Sequence, residues 1–309
     1  MILDVLLPNL IPLYILIFLG YIAGRFLEVN LHSIARLNIY ILLPIVSMGA
    51  MTRVEFQPEY FALPIILFVL SQVIALGSCR FLKIFRKDGT ANLIGASGAN
   101  GNAVFFGLPL VIAFFGVEGA GLYLFFNMGP QINNVSLAYY LVARGRFSVK
   151  ESAKRVVKLP VIYAMILGLL LNFAGVEMSG ISLKYWDYAS GSLVFLGMMM
   201  VGIGAAKIKS FSFDWPLIAT FFALKFIIWP ASIFALIALD MFVFQQFDTR
   251  IYQLILFLSV MPIMGSLVAY AAENDLYPEK AATAVILSSF ATILIIPAMY
   301  WLMVLIGIA

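Results

Sequence analysis

The feature that most constrains this chain is a succession of apolar stretches, each about 20 residues long, divided by short polar connectors. A helix rises about 1.5 Å per residue, so about 20 apolar residues match a hydrocarbon core of roughly 30 Å. Ten such stretches can be read, at 6–26, 33–51, 58–79, 90–115, 117–143, 159–176, 186–206, 215–239, 251–272 and 279–307. Composition agrees: 63% of the 309 residues are hydrophobic and 11% are charged, with a mean hydropathy of +1.05. A soluble domain carries roughly 25% charged residues and exposes too much surface to hide this much apolar material. A soluble enzyme, a disordered protein and a nucleic-acid-binding domain are thereby excluded. The single cysteine, Cys79, leaves no intramolecular disulfide, and the single histidine, His32, no multi-histidine metal site. No metal or cofactor is expected. The first stretch is too long for a signal peptide and follows Asp4 rather than a basic cluster, so it is expected to stay in the mature protein.

Charge orients the set. If the connectors alternate between the two faces, one face collects 15 of the 19 Lys and Arg residues, in groups around Arg25, Arg36, Arg80 to Lys87, Arg144 to Lys158, Lys207, Lys209 and Lys280. The other face holds three, Arg53, Lys184 and Arg250, and Lys225 lies within a span. Basic connectors stay in the cytoplasm, which places both termini outside.

The most basic connector, 144–158 (RGRFSVKESAKRVVK), divides the chain into two sets of five spans, 1–143 and 159–309. Five is odd, so the second set enters the membrane in the opposite sense. The expected fold is an all-α integral membrane protein of ten transmembrane helices arranged as two inverted five-helix repeats. Span four contains GANGNAVFFGLPL (98–110) and span nine SVMPIMGS (259–266); Pro109 and Pro262 occupy similar places in the two halves. A helix broken inside the bilayer frees backbone groups that lipid cannot satisfy, so such breaks face protein or a watery cavity. The helix that restarts after a break presents oriented N–H groups and partial positive charge, which suit an anion.

Several of these residues carry a family resemblance. Asn102, Gly107-Leu108-Pro109-Leu110 and Phe115-Gly116 in span four, with Met261-Pro262 and Ala269-Tyr270-Ala271-Ala272-Glu273-Asn274 in span nine, resemble the auxin efflux carrier family. That family includes the plant PIN-FORMED auxin carriers and bacterial proteins that look like malate or malonate permeases. The resemblance implies that broken helices 4 and 9 cross. It also implies that helices 1, 2, 6 and 7 form a scaffold, often a homodimer surface. Helices 3–5 and 8–10 then form a transport domain moving by an elevator-like shift, in a bacterial inner (plasma) membrane. The long hydrophilic loop of the plant proteins is replaced here by about 15 residues, so control through that loop is not carried over.

Polar residues inside the spans are the candidate site, because they are costly without partners. Asn100 and Asn102 flank Gly101 at the break. Asn127, Gln131 and Asn134 are spaced i, i+4, i+7 on one helix face. Lys225 is the basic residue within a span, a counter-ion for an anion or a group that changes protonation. With Gly107, Pro109 and Pro262 these residues form the expected substrate site; Ser71 and Gln72 are minor candidates for the same cavity. Gly20 and Gly24 form a GxxxG that suits close packing within the protomer, with a dimer contact as the alternative. Tyr185, Trp186, Trp215 and Trp301 read as interfacial anchors. The expected function is movement of a small organic anion, a dicarboxylate or auxin-like acid, by alternating access. A sodium-coupled symporter similar to bile-acid carriers is the alternative, and a channel a more remote one. No HExxH, GxSxG or nucleotide-binding loop is present, so catalysis is not expected.

Overall fold

The computed structural model describes residues 2–53, 60–206 and 214–308. Lys207 and Lys209, two of the basic residues used to orient the chain, lie outside the described residues, as do the first two residues of the span read at 58–79. The described chain is all helical, in the order α1 (Ile2–Phe26), α2 (Leu31–Thr52), α3 (Ala62–Leu82), α4 (Thr90–Ser97), α5 (Leu108–Asn133), α6 (Tyr139–Arg144), α7 (Val149–Val157), α8 (Pro160–Phe173), α9 (Gly180–Ala206), α10 (Trp215–Phe244), α11 (Thr249–Ser259), α12 (Ser266–Glu273) and α13 (Pro278–Leu305). Among the described residues, α2, α3, α9, α10 and α13 are long and apolar enough to cross a membrane. A sixth joins them if α7 and α8, bent by 42°, are taken together. This is a multi-pass helical membrane protein.

The connector 144–158 is more ordered than its charge suggests. Its residues form α7, because Ser148 accepts a hydrogen bond from the Glu151 N–H (3.2 Å) and caps the first turn. The charged face of α7 is unsuited to lipid, so the surface helix ends at Lys158 and Pro160 opens α8.

Two of the apolar stretches, those at 90–115 and 251–272, are interrupted by breaks that leave short helices. The eight residues of α4 cover about 12 Å and the eleven of α11 about 16 Å, so neither is long enough alone to span a core of roughly 30 Å. After α4 the backbone leaves the helix at Gly98–Asn102 and resumes in a wide π turn, Ala103–Gly107, that feeds α5. After α11 it leaves at Val260–Gly265 and resumes in α12. Pro109 therefore lies inside the second half-helix, beyond its first turn, while Pro262 lies in a break. The similar spacing of the two prolines does not reflect a similar backbone position.

The π turns explain how several membrane prolines are accommodated. Those at Asn38–Leu42, Ala103–Gly107 and Leu224–Ile228 each stop two residues before a proline, Pro44, Pro109 and Pro230. Proline lacks an N–H and its ring crowds the carbonyl four residues back, and a widened turn rearranges the bonding there. At Gly116, φ is +71° and ψ −177°, a region open essentially to glycine, and α5 bends there. This is the junction between the stretches read at 90–115 and 117–143.

Packing joins α1 to α9 and α2 to α8. A methyl group built on Gly20 would strike the Met199 backbone, and one on Gly202 would strike the Ile17 carbonyl. Gly24 meets Ile203 and Ala206 in the same seam. The GxxxG glycines thus face α9 of the same chain, as the protomer-packing reading expects. On the other pair, Gly168 lies against the Met48 carbonyl, and Asn172 Nδ2 donates to the Thr52 carbonyl at 2.8 Å, closing the end of α2.

Candidate functional site

The two breaks meet. The Asn102 N–H donates to the Pro262 carbonyl at 2.8 Å, and Gly101 and Ile263 form an antiparallel bridge. Each extended segment supplies the backbone partners that a broken helix lacks. The junction is sealed by Ser288 Oγ, which accepts the Ile263 N–H at 3.0 Å.

Beside this crossing lies a cavity of about 290 Å³. One wall is α2, from Asn38 through Ser47 to Arg53. A second is α8 and α9, with Met165, Trp186, Met198 and Met200. The third comprises Gly101–Val104, the α5 residues Asn127 and Gln131, the adjoining Asn134, and Met264–Ser266 with Tyr270. Both segments where helix resumes, at Ala103 and at Ser266, line the cavity, while the ends that run into the breaks, Ser97 and Ser259, do not. Initial N–H groups of a helix have no intrahelical acceptor. Together with the helix dipole they make this wall electropositive without a charged side chain.

Several side chains on the wall are unsatisfied. Asn102 is 5% exposed, and its Nδ2 has no hydrogen-bond partner. Tyr270 Oη and Asn38 Oδ1 are also without one, although Asn38 Nδ2 makes a long contact (3.7 Å) to Met200 Sδ. Asn134 accepts from Ser266 Oγ at 3.2 Å, tying the π turn after α5 to the start of α12.

The expected site residues therefore divide. Asn102, Asn127, Gln131 and Asn134 share the cavity. Asn100 does not line it; its Nδ2 donates to the Ala96 carbonyl (2.9 Å) and its Oδ1 accepts from Asn133 Nδ2 (3.2 Å). It satisfies groups at the break. Gly107 is filled by the Tyr123 hydroxyl and Met261 sulfur, and Pro262 contributes its carbonyl to the crossing. Leu108 lines the cavity, and the side chain of Pro109 lies outside the described ones. Ser71 is spent on the Phe68 carbonyl at 2.7 Å.

Lys225 is fully buried, also outside the wall, and its Nζ has no hydrogen-bond partner. A Cβ added to Gly101 would lie 3.1 Å from that nitrogen, so the Lys225 side chain ends against the crossing.

Sequence reasoning missed residues whose proximity depends on tertiary packing. Arg53, counted only as a connector charge, lines the cavity with its guanidinium 4.1 Å from the Trp186 ring centre. Trp186 is a wall residue whose Nε1 donates to the Val46 carbonyl at 3.1 Å; it is not merely an interfacial anchor. At the other end of α2, Arg36 Nε lies 3.4 Å from Glu273 and Tyr40 Oη donates to Glu273 at 3.4 Å. His32 lies 3.2 Å from Asp275, and Arg155 of α7 donates to Asn274 Oδ1 at 3.4 Å. This cluster binds α2 and α7 to the end of α12.

Crossed helix breaks beside an internal cavity in a multi-pass protein define the class of a membrane transporter. The chain matches the membrane transport protein family over residues 5–300 and belongs to it, the family of the auxin efflux carriers. It is similar to an uncharacterized transporter of Methanocaldococcus jannaschii, with 28% identity over 235 residues, covering 72% of this chain and 76% of that protein. A second similar protein, an uncharacterized transporter of Methanothermobacter thermautotrophicus, is 24% identical over 203 residues, or 63% of this chain and 66% of its own length.

Proposed function

We propose that this transporter moves a small organic anion, holding its carboxylate against the wall where the two helices restart. The observation that carries the reading is the asymmetry of the crossing: both starting helix ends line the cavity, both ending ones are turned away, and the unpartnered Asn102 Nδ2 lies among the starting ends. Oriented N–H groups and an amide donor complement a carboxylate and oppose a cation. Asn127, Gln131 and Asn134 supply further neutral polar contacts, and the aliphatic and methionine wall accepts the rest of the substrate.

In this reading α1, α2, α3, the α4–Gly116 segment and the segment from there to α6 are five crossings in residues 1–143. Helices α8, α9, α10, the α11–α12 pair and α13 are the five inverted crossings of 159–309, with 144–158 between them in the cytoplasm and both termini outside. The α1–α9 and α2–α8 pairs supply the scaffold, often a dimer surface in proteins it resembles, and the remainder moves as the transport domain in the bacterial plasma membrane. The cavity lies between these two groups, which supports an elevator-like exchange of access.

The test is thermal stabilisation of purified protein by a panel of malate, malonate and indole-3-acetate, with and without sodium. Ligands that bind the folded state raise its melting temperature by mass action. A carboxylate-dependent rise that disappears in Asn102→Ala supports the site. A rise that requires sodium identifies the symporter alternative, and a rise unchanged by Asn102→Ala refutes the placement.

A further inference from the structure

We propose that Lys225 couples anion transport to protons: its side chain is a neutral amine in the empty site and an ammonium when the carboxylate is bound. The proposal rests on the carboxylate site described above and deepens it. Lys225 is 0% exposed and its Nζ has no hydrogen-bond partner, while the facing position on the crossing is Gly101, whose missing side chain leaves the nitrogen against a cavity-lining backbone. A lone ammonium buried in this way, without a counter-charge among the described residues, is disfavoured relative to the amine.

Among the described residues, the surroundings hold no alternative counter-ion. Helix α4 carries no ionisable residue, and the crossing contributes the neutral Asn100 and Asn102. On α11, Arg250 and Tyr252 lie in the first turn, and Tyr252 donates to Asp240 at 2.6 Å. On α13, Glu279 and Lys280 lie in the first turn and Tyr300 near the opposite end. The acids bounding Lys225 on its own strand of chain are engaged elsewhere: Asp214 faces Arg86 and Lys280 at 3.8 and 3.9 Å, and Asp240 also accepts the Gln246 and Phe247 N–H groups. Among the described residues, none of these groups pairs with Nζ.

A carboxylate on the far side of Gly101 supplies the absent counter-charge. As it enters, the amine lone pair takes a proton from solvent and one N–H bond forms. As the anion leaves, that bond breaks, the pair returns to nitrogen and the proton departs. One proton accompanies each anion, no oxidant or further reactant is needed, and a monocarboxylate is carried without net charge.

The experiment titrates malonate and indole-3-acetate into purified, weakly buffered full-length protein near pH 7.5, where both are ionised, and follows proton uptake with an indicator dye. Thermal stabilisation reports binding in the same samples. The expected result is uptake of up to one proton per bound anion. In Lys225→Met that uptake is abolished and affinity falls at least tenfold, and in Lys225→Arg binding persists without uptake. Binding by the unmodified protein without proton uptake overturns the coupling and leaves the carboxylate site standing. Uptake that persists in a monodisperse Lys225→Met assigns the proton elsewhere and also overturns it. Failure of both acids to bind the unmodified protein overturns the site reading and the coupling together. If Lys225→Met does not fold, Lys225→Gln replaces it, and the unmodified protein alone still decides whether protons are taken up.

Discussion

The backbone N–H of Asn102 donates to the carbonyl of Pro262 at 2.8 Å, while the Asn102 side-chain amide donates to nothing. One residue thus separates a structural bond, made by its main chain, from a free donor on its side chain. Asn102→Ala keeps the first and deletes the second. Removing an unsatisfied buried polar group costs little, so the ligand-free melting temperature should stay the same or rise slightly. Carboxylate-dependent stabilisation should vanish. A large loss of ligand-free stability would mean that the amide is structural.

Gly116→Ala should cost about 1–3 kcal/mol, because φ of +71° with ψ near 180° is strained for any residue with a Cβ. Space is not the obstacle, since a Cβ there would meet no atom within 4 Å. Thermal unfolding in detergent should show the drop, and Gly121→Ala, with equal free space inside a helix, should show none or a small gain.

Gly202→Val should open the α1–α9 seam, where the Ile17 carbonyl already occupies the space. Overpacking of this kind costs about 1–3 kcal/mol. The oligomeric state in mild detergent should be unchanged by Gly20→Ala or Gly24→Ala even as stability falls. Dissociation without loss of protomer stability would restore the dimer role of these glycines.

Arg53→Ala should slow anion capture more than it unfolds the protein. The guanidinium–indole contact is worth about 0.5–1 kcal/mol at an exposed position, so the melting temperature should hardly move. Initial uptake in proteoliposomes should fall severalfold at low salt, with the deficit shrinking as salt screens the charge. A deficit independent of salt would point to lost wall shape instead.

Glu273→Gln loosens the contact among Arg36, Tyr40 and the end of α12. Arg36 is largely solvated, so the stability change should stay below about 1 kcal/mol. If α12 moves against α2 during transport, exchange rates should change several-fold through altered preference between the two access states. An unchanged rate would show that this contact persists throughout the cycle.

The helical, membrane-embedded character and the family were legible because they depend on run length, hydropathy and local motifs. The breaks were half legible. The small polar run Gly98–Asn102 marks the first, but Pro109 drew attention past it, since a π turn absorbs that proline without ending the helix. The i, i+4, i+7 amides were legible as a face, and that face does reach the cavity. Asn100 could not be told from Asn102, because only packing reveals that Asn133 already occupies it. Arg53 with Trp186, and Arg36 with Glu273, come from distant parts of the chain and leave no shared mark on either local sequence.

The Gly101–Ile263 bridge also has a consequence for biosynthesis. When the ribosome has made the first half of the protein, the segment Gly98–Asn102 is already in the chain, yet its partner has not been synthesised. Its backbone must be sheltered by translocon, water or neighbouring helices until Ile263 arrives. The pocket therefore does not mature gradually as helices accumulate; it comes into being in a late step, and a chain arrested before that step carries an unfinished seam that membrane quality control can recognise.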